Sequence, residues 1–265
     1  MQKEEQFLEK RLIELSKIAY NRNIVMFSDF LNLNELNILH TIPKNQLYSE
    51  YITFGGYEDA ERQMAVFLPD ALSLRTGNSE IEAEALKEIY NEKIAVIRVT
   101  PVHEKYAEEL THRDYLGAVL NLGIERKNVG DIILMDQDAY FFVKPQLSQM
   151  LCDELTRIRH TFVIVQRVEM QDFQYKPKYK EITGTVASLR LDCLLGLAYS
   201  SSRSKLKGLI EAGKVFVNGK LITSNGYHIK DGDIISVRGI GKFRFVKQVA
   251  VTKKNRNSVL LYLYV

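Results

Sequence analysis

The sequence predicts an α+β protein built from three small domains, the last of which is strongly basic. Three observations lead to this fold class. Apolar segments with helical and strand periods alternate along 265 residues, a length that suits two or three modest domains. In the middle of the chain these segments follow the order β-α-β-β-α-β. In the last third, tight-turn dipeptides separate short apolar runs, and Lys and Arg are in excess.

Residues 1–78 are predicted to form an N-terminal α+β domain. Residues 3–22 place apolar side chains at helical spacing, which predicts an amphipathic helix, and a second helix fits within 28–43. Strand-like runs follow at 51–54 and 64–68. The sequence does not indicate what this domain does.

Residues 79–170 are predicted to form a ferredoxin-like domain, with a four-stranded antiparallel sheet and two helices on one face. Its predicted elements are a strand at 94–102, a helix at 113–123, a hairpin at 131–136 and 139–145, a helix at 148–158 and a strand at 161–168. By the two-residue period of a strand, Tyr140 and Phe142 share a face, where many RNA-binding modules stack bases on aromatic rings. The apolar run 141–143 favours a core position instead.

Residues 171–183 are predicted to be a linker, because apolar periodicity is lost there and lysines appear at 176, 178 and 180. The last domain then covers 184–265. It holds 14 Lys and Arg against 4 Asp and Glu, a balance of +10, although the whole chain carries only +3. Such asymmetry indicates an anionic partner, with RNA or DNA the first candidates and an anionic membrane surface the weaker one.

The remaining composition predicts an ordinary cytoplasmic protein. No apolar run approaches the roughly 20 residues that cross a bilayer, and the first 15 residues are too charged for a signal peptide. Cys152 and Cys193 lie in apolar stretches without CxxC spacing, so we expect reduced, buried thiols.

The basic domain should begin with two short helices. Leu191, Leu194, Leu195 and Ala198 mark one apolar face, and Leu206, Leu209 and Ile210 mark the second. Serines at 200–202 offer an N-cap for the second helix, and Gly213 sits where a left-handed C-cap is needed. The strands that follow are joined by turns at Asn218-Gly219 and Asp231-Gly232.

Cations surround the second predicted helix. Arg203, Lys205 and Lys207 lie off its apolar stripe, and Lys214 and Lys220 follow at once. Arg forks two hydrogen bonds to a phosphate and Lys supplies a point charge, so the group favours binding of a polyanion. A single lysine would indicate only a solvated face. Further cations at 238, 242, 244, 253, 254 and 256 either extend this charge or discourage edge-to-edge aggregation.

These residues resemble the RNA-binding domain named after small-subunit ribosomal protein S4, over about 184–245. The resemblance rests on Arg190-Leu191-Asp192, Ser202-Arg203, Leu209-Ile210, Gly213-Lys214-Val215, Val217-Asn218-Gly219, Gly232-Asp233 and Ile235. In that family two helices and a hairpin form the alpha-L motif, which holds structured RNA by shape and phosphate contacts. The resemblance implies an RNA surface made of Arg190, Ser202, Arg203, Lys205, Lys207, Lys214, Asn218 and Lys220, with Leu209, Ile210 and Val215 in the core.

The whole chain, with HRDYLGAVLNLGIERKNVGDI at 112–132, resembles the YlmH family, which is encoded near cell-division genes in Gram-positive bacteria. The resemblance implies a bacterial cytosolic protein whose partners are ribosomal RNA, tRNA or both on the large ribosomal subunit. Relatives with the same RNA module bind that subunit when peptidyl-tRNA obstructs it. His112, Arg113, Arg126 and Lys127 are candidates for a second RNA contact, although Arg113 and Asp114 equally fit local capping and pairing.

Two tripeptides of the sequence resemble catalytic motifs but lack the surrounding residues that the motifs require. His112-Arg113-Asp114 resembles a kinase catalytic loop without the other kinase motifs. Arg190-Leu191-Asp192 resembles the catalytic tripeptide of pseudouridine synthases, but Cys193-Leu194-Leu195-Gly196 follows it, and Asp192 fits a helix N-terminus. No nucleotide-binding glycine motif and no zinc-ligand spacing is present, so we expect no catalytic residue, no metal and no cofactor.

Three functions from different classes remain. The leading one is a non-enzymatic RNA-binding protein that acts at the ribosome. The second is an RNA-modifying enzyme, similar to a pseudouridine synthase, with a catalytic site hidden in residues 1–170. The third is a cell-division adaptor whose basic face meets anionic lipid, which the lack of a long basic amphipathic helix disfavours. The oligomeric state is left open.

Overall fold

The fold is described from a computed structural model that covers residues 2–69, 92–201 and 203–264, without the side chains of residue 2 and residues 203–205. The chain separates into two compact units, Met1–Tyr175 and Lys176–Val265. The predicted boundary between residues 78 and 79 lies outside the described residues. Within them, no helix combines the length and the apolar content that a membrane span requires.

The N-terminal part of the first unit is a three-stranded antiparallel sheet packed against two helices. It comprises α1 Gln2–Arg22, β1 Met26–Leu31, α2 Leu33–Thr41, β2 Tyr51–Phe54 and β3 Gln63–Phe67. The sheet has the order β1-β3-β2, and its core gathers Leu12, Leu15 and Leu39. Both predicted helices and both predicted strands are present. The second helix lies within the predicted stretch 28–43, where a capping box formed by Asn32 and Glu35 begins it at Leu33. The residues before the cap form strand β1.

The middle part of the first unit follows the predicted order of elements. It comprises β4 Ala95–Pro101, α3 His112–Asn121, β5 Val129–Met135, β6 Asp138–Val143, α4 Ser148–Glu154, β7 Arg157–Ile158 and β8 Thr161–Val168. The sheet is antiparallel with the order β5-β6-β4-β8-β7, so β6 lies between β4 and β5 as a split βαβ arrangement requires. Tyr115 and Val119 of α3 and Leu151 of α4 pack on the same face of this sheet.

Helix α4 is shorter than the predicted helix at 148–158. It ends at Glu154, and Arg157–Ile158 turns back as β7 to pair with β8. Arg159 in the turn between them has φ +51°, a left-handed conformation that a helix cannot contain. The apolar spacing at 147, 151 and 155 continues past the point where the backbone leaves the helix.

The second unit contains β9 Tyr179–Val186, α5 Leu191–Ala198, α6 Arg203–Glu211, β10 Val215–Val217, β11 Lys220–Leu221, β12 Ile234–Val237, β13 Gly241–Val251 and β14 Asn257–Tyr264. The sheet has the order β11-β10-β12-β13-β14-β9. One face holds the core, where Leu194 and Leu195 of α5 and Leu206 and Ile210 of α6 meet Phe243 and Leu261. The two predicted helices of the basic domain are therefore present.

The segment predicted as a linker at 171–183 takes up structure instead. Phe173 packs 5.0 Å from the Phe142 ring in the first unit, while residues from Tyr179 onward form β9 and pair with β14 in eight register positions. The inward side chains of β9 are Ile182 and Val186, with Gly184 between them. A glycine in the middle of a short strand interrupts the alternation of apolar and polar side chains from which strands are predicted, so β9 was not predicted.

Candidate nucleic-acid interface

Helix α6 carries the candidate surface, and its C-terminal end is fixed by a Schellman motif. Gly213 adopts φ +67°, its N–H donates to the Ile210 carbonyl (3.0 Å), and the Lys214 N–H donates to the Leu209 carbonyl (3.0 Å). Leu206 and Ile210 are buried, whereas Lys207 is exposed on the same helix. The predicted C-cap at Gly213 is confirmed, and it sets the position at which Lys214 leaves the helix.

Lys214 and Arg238 lie next to each other at this end of the helix. The Arg238 N–H donates to the Lys214 carbonyl (2.9 Å), and both side chains are exposed. Among the described side chains, no acidic group forms an ion pair with Lys207, Lys214, Lys220 or Arg238. Sequence reasoning left open whether Arg238 extends the RNA surface or discourages edge-to-edge aggregation. Arg238 directly follows β12. Because β12 pairs with β10 and sets Val237 opposite Val215, this pairing places Arg238 beside Lys214, and it is the feature from which the position of Arg238 follows.

Lys220 lies apart from this pair. It begins β11, opposite Val217, at the far end of β10 from Lys214, a separation of roughly 10 Å along the strand. Its side chain is exposed. The structure thus brings Lys214 and Arg238 together and leaves Lys220 beside the turn.

Asn218 is engaged inside the domain. It has φ +48° and Gly219 has φ +77°, as a two-residue type I′ hairpin turn requires. Its Nδ2 donates to Asp233 Oδ1 (2.8 Å), and its Oδ1 accepts from the Ile234 N–H (2.9 Å). Both hydrogen-bonding ends of the amide therefore hold the turn against the neighbouring loop.

Arg190 caps the entrance to α5 and pairs with Asp192. Its Nε and Nη2 donate to the two carboxylate oxygens of Asp192, each at 3.1 Å, and the carboxylate side chain is 8% exposed. Asp192 lies in the first turn of α5, where a negative charge is favourable. Because the Arg190 side chain is 47% exposed, it can still face an anion.

Three of the predicted RNA-contact residues fall where the structure gives no side-chain account. Ser202 lies outside the described residues. Arg203 and Lys205 belong to α6 by their backbone, and their side chains also lie outside the described part of the chain.

In the first unit, two of the four residues predicted as a second RNA contact have partners within the protein. Arg126 donates from Nη1 to the carbonyls of Val129 (2.5 Å) and Gly130 (2.9 Å), and its burial lowers its pKa to about 10. Lys127 pairs with Glu125 at 2.8 Å on the surface. Burial, together with the nearby Arg126 charge, lowers the pKa of His112.

Arg113 is exposed at the start of α3. The neighbouring Asp114 accepts from the Thr111 N–H (2.9 Å) and hydroxyl (2.6 Å), and it pairs with Arg159 at 3.2 Å. Local capping by Asp114 is therefore confirmed, but its charged partner is Arg159 and not Arg113.

The aromatic face of the middle sheet is covered. Phe142 is fully buried, with ring centroids of Tyr57 and Phe173 at 5.2 and 5.0 Å, and Tyr140 packs 5.2 Å from Phe173. Phe30 and Met64 of the N-terminal sheet join the same cluster. Phe142 thus forms core, as the apolar run 141–143 predicted, and Tyr140 is half-buried against the same cluster. In contrast to these buried rings, the side chains of Phe162 and Ile164 on β8 are exposed to solvent.

Comparison with known proteins finds two domain families and one relative that matches most of the chain. Residues 90–172 match the domain family described as "Putative RNA-binding domain in YlmH", and residues 189–235 match the S4 domain. The ribosome-associated protein quality control protein P2 of Bacillus subtilis is 27% identical over 255 residues, which cover 96% of this chain and 93% of that protein. The predicted resemblance to the YlmH family is confirmed.

Other similarities concern parts of the chain. The small ribosomal subunit protein uS4 of Kosmotoga olearia is 26% identical over 38% of this chain and 51% of its own length, and that of Pseudomonas putida is 26% identical over 36% and 49%. The cell division protein ylmH from Streptococcus pneumoniae aligns with 64% of this chain and 93% of its own, at 22% identity and a TM-score of 0.46. The chain thus carries a YlmH-type domain and an S4 domain, and it is a homologue of a ribosome-associated quality control protein.

In the described part of both domains, no ligands of a metal site come together. Within residues 2–69, 92–201 and 203–264, no group of three or more His, Cys, Asp and Glu side chains is placed to hold an ion. Cys193 is buried and Cys152 half-buried, and both are free thiols.

Proposed function

We propose that this chain is a non-enzymatic, cytoplasmic RNA-binding protein that engages structured ribosomal RNA or tRNA on the large ribosomal subunit during quality control of stalled translation. The observation that carries the proposal is the exposed pair Lys214 and Arg238 at the capped end of α6, in a domain with a balance of +10. Rigidly placed cations without acidic partners are suited to phosphates at fixed spacing.

The S4 domain supplies most of the RNA affinity in this proposal. Its cationic contacts are Lys207, Lys214, Lys220, Arg238 and the exposed part of Arg190, together with Arg203 and Lys205 of the same helix. Asn218 positions the hairpin that presents Lys220. In the first unit, Arg113 and His112 are the residues that we propose for an additional contact.

The test uses the full-length protein and sedimentation through sucrose gradients at several salt concentrations. Co-migration with large subunits should be lost in the double variant Lys207→Glu and Lys214→Glu. Replacing two phosphate contacts should also flatten the dependence of log K on log salt by about two units. The control is Lys10→Glu with Lys105→Glu, which changes the net charge equally at exposed positions of the first unit. If both double variants lose ribosome binding alike, the S4 surface is not the site.

A second measurement addresses catalysis. Incubation of the purified protein with ribosomal RNA, followed by nucleoside digestion and mass spectrometry, should show no new nucleoside. Asp192, the residue that resembles a pseudouridine synthase aspartate, is held by Arg190 on both oxygens. Appearance of pseudouridine would overturn the non-enzymatic proposal.

A further inference from the structure

The sheet of the second unit ends in three tyrosines on the face away from its helices. Along β14, Leu261 and Leu263 point into the core cluster that contains α5 and α6. Tyr262 and Tyr264 alternate with them and therefore face the other way. Tyr179 of β9 pairs directly with Tyr264, so it shares that face.

The rings of this surface are stacked and partly exposed. The Tyr179 and Tyr262 centroids lie 4.0 Å apart with an interplanar angle of 16°, and Tyr179 is 46% exposed. Lys242 Nζ lies 4.9 Å from the centroid of the Tyr264 ring. Cross-strand tyrosine pairs stabilise a sheet, but that role does not require a tyrosine to remain as exposed as Tyr179.

Cations surround Tyr179 in sequence. It stands in the run Lys176-Pro177-Lys178-Tyr179-Lys180, and all three lysines are exposed. The acidic neighbour on the same face is Glu181, which pairs with Tyr262. Aromatic rings interleaved with lysines are the composition of a surface that binds single-stranded nucleic acid, where bases stack on the rings and ammonium groups follow the phosphates.

We propose that Tyr179, Tyr262 and Tyr264, with Lys176 and Lys178, form a stacking site for unpaired bases of RNA. Lys180 alternates with Tyr179 along β9 and lies on the other face, so it is not part of the site. This tyrosine surface lies on the opposite side of the sheet from the helix pair, so it is a separate site. Unpaired bases are the fitting ligand, because a base inside a duplex has no free face to lay on a ring. The inference rests on the proposed function, since it presumes that the chain meets RNA.

The test measures binding of the full-length protein to a fluorescein-labelled dodecamer of uridine by fluorescence anisotropy. Tyr179→Leu keeps apolar contact with Tyr262 but removes the ring, and it should weaken binding by about 5- to 100-fold. Tyr179→Phe keeps the ring and should bind within about twofold of the parent. Tyr106→Ala removes a tyrosine that is 79% exposed in the first unit and should change nothing.

A second readout does not depend on the fold of a variant. Photo-crosslinking of the unaltered protein to the same dodecamer carrying 4-thiouridine, followed by mass spectrometry, should place adducts on Tyr179 or Tyr262. Adducts confined to other positions would overturn the proposal, as would equal losses of affinity in Tyr179→Leu and Tyr179→Phe. The two proposals fail separately. Ribosome binding that is intact without tyrosine adducts rejects only the stacking site, whereas absence of any RNA or ribosome binding rejects the proposed function itself.

Discussion

The side-chain amide of Asn218 joins two turns of the second unit, by hydrogen bonds to Asp233 Oδ1 and to the Ile234 N–H. Its positive φ is one that Asn tolerates better than most residues. We therefore expect Asn218→Ala to lower the free energy of unfolding by about 1–2 kcal/mol, measured by urea denaturation.

The matched control for that change is Lys220→Ala, two residues along the same hairpin. Since Lys220 is exposed, its removal should alter stability by less than about 0.5 kcal/mol and should weaken RNA binding instead. If Asn218→Ala keeps full stability and loses RNA affinity, then Asn218 is an RNA contact, as the S4 resemblance implied.

Gly56 allows the N-terminal part to close over the middle sheet. It has φ +104°, and a Cβ added there would overlap the Phe142 ring. Gly56→Ala should therefore destabilise the first unit by more than about 2 kcal/mol, through backbone strain and displacement of a buried ring.

The control for Gly56 is Gly117, in the middle of α3, where an added Cβ meets nothing within 4 Å. Gly117→Ala should be neutral or stabilise by about 0.5–1 kcal/mol, because Ala is the better helix former. Thermal melts of the two variants with the parent protein make the comparison. An unchanged melting temperature in Gly56→Ala would show that Phe142 is not packed under this turn.

Single residues also show what the sequence could predict at the site. The exposed lysines on and after α6 were found from their spacing alone, because cations off an apolar stripe remain at the surface. Arg126 was predicted as a candidate RNA contact, and its pattern in the sequence did not indicate that its guanidinium donates to the carbonyls of Val129 and Gly130. These acceptors lie three and four residues along the chain, so the local course of the backbone, which the residue pattern does not specify, places them.

At the scale of elements, β9 is the main feature that sequence patterns did not predict. Its pairing with β14 should protect the amide protons of residues 179–186 from hydrogen exchange to a degree similar to residues 257–264. Exchange monitored by mass spectrometry provides the measurement, with the exposed segment 253–256 as an internal reference. Rapid exchange throughout 179–186 would restore the linker interpretation.

Elements with a strong period and clear caps were predicted well. The α6 C-terminus was located from Gly213, and β8 was located at Thr161–Val168 from its continuous apolar run. Short elements were not. The strand β1 was not predicted, and the residues of β7 were included in the helix predicted at 148–158. In both places the backbone changes direction within two or three residues, which is less than one period of either pattern.

For the whole molecule, the two units have separate cores, so the second should fold without the first. The cluster that holds α5, α6 and Phe243 contains only residues after Tyr175. We expect residues 176–265, expressed alone, to give one cooperative unfolding transition and dispersed amide resonances. The matching fragment 187–265 lacks β9, and it should lose cooperativity or precipitate because β14 becomes an open edge.

The charge asymmetry of the chain is readable in the amino-acid sequence alone, and it located the S4 domain correctly in the last third. The division of the chain into two compact units could not be predicted from the amino-acid sequence. The sequence suggested a separate N-terminal domain, but Phe30, Met64 and Phe142 share one cluster within the first unit. Apolar residues in a core between two sheets have the same spacing along the chain as apolar residues in the core of one sheet, so the sequence does not distinguish the two arrangements.

The pairing of β9 with β14 also has a consequence for how the polypeptide is made. The earlier strand leaves the ribosome well before its partner has been translated, so its hydrogen-bonding edge is open during synthesis. Lys176 and Lys178 precede that strand, and Lys180 lies within it. Repulsion between these like charges disfavours pairing between the open strand edges of two nascent chains. The ammonium groups of Lys176 and Lys178, which we assign to phosphates in the finished protein, would then first protect the nascent chain from premature association.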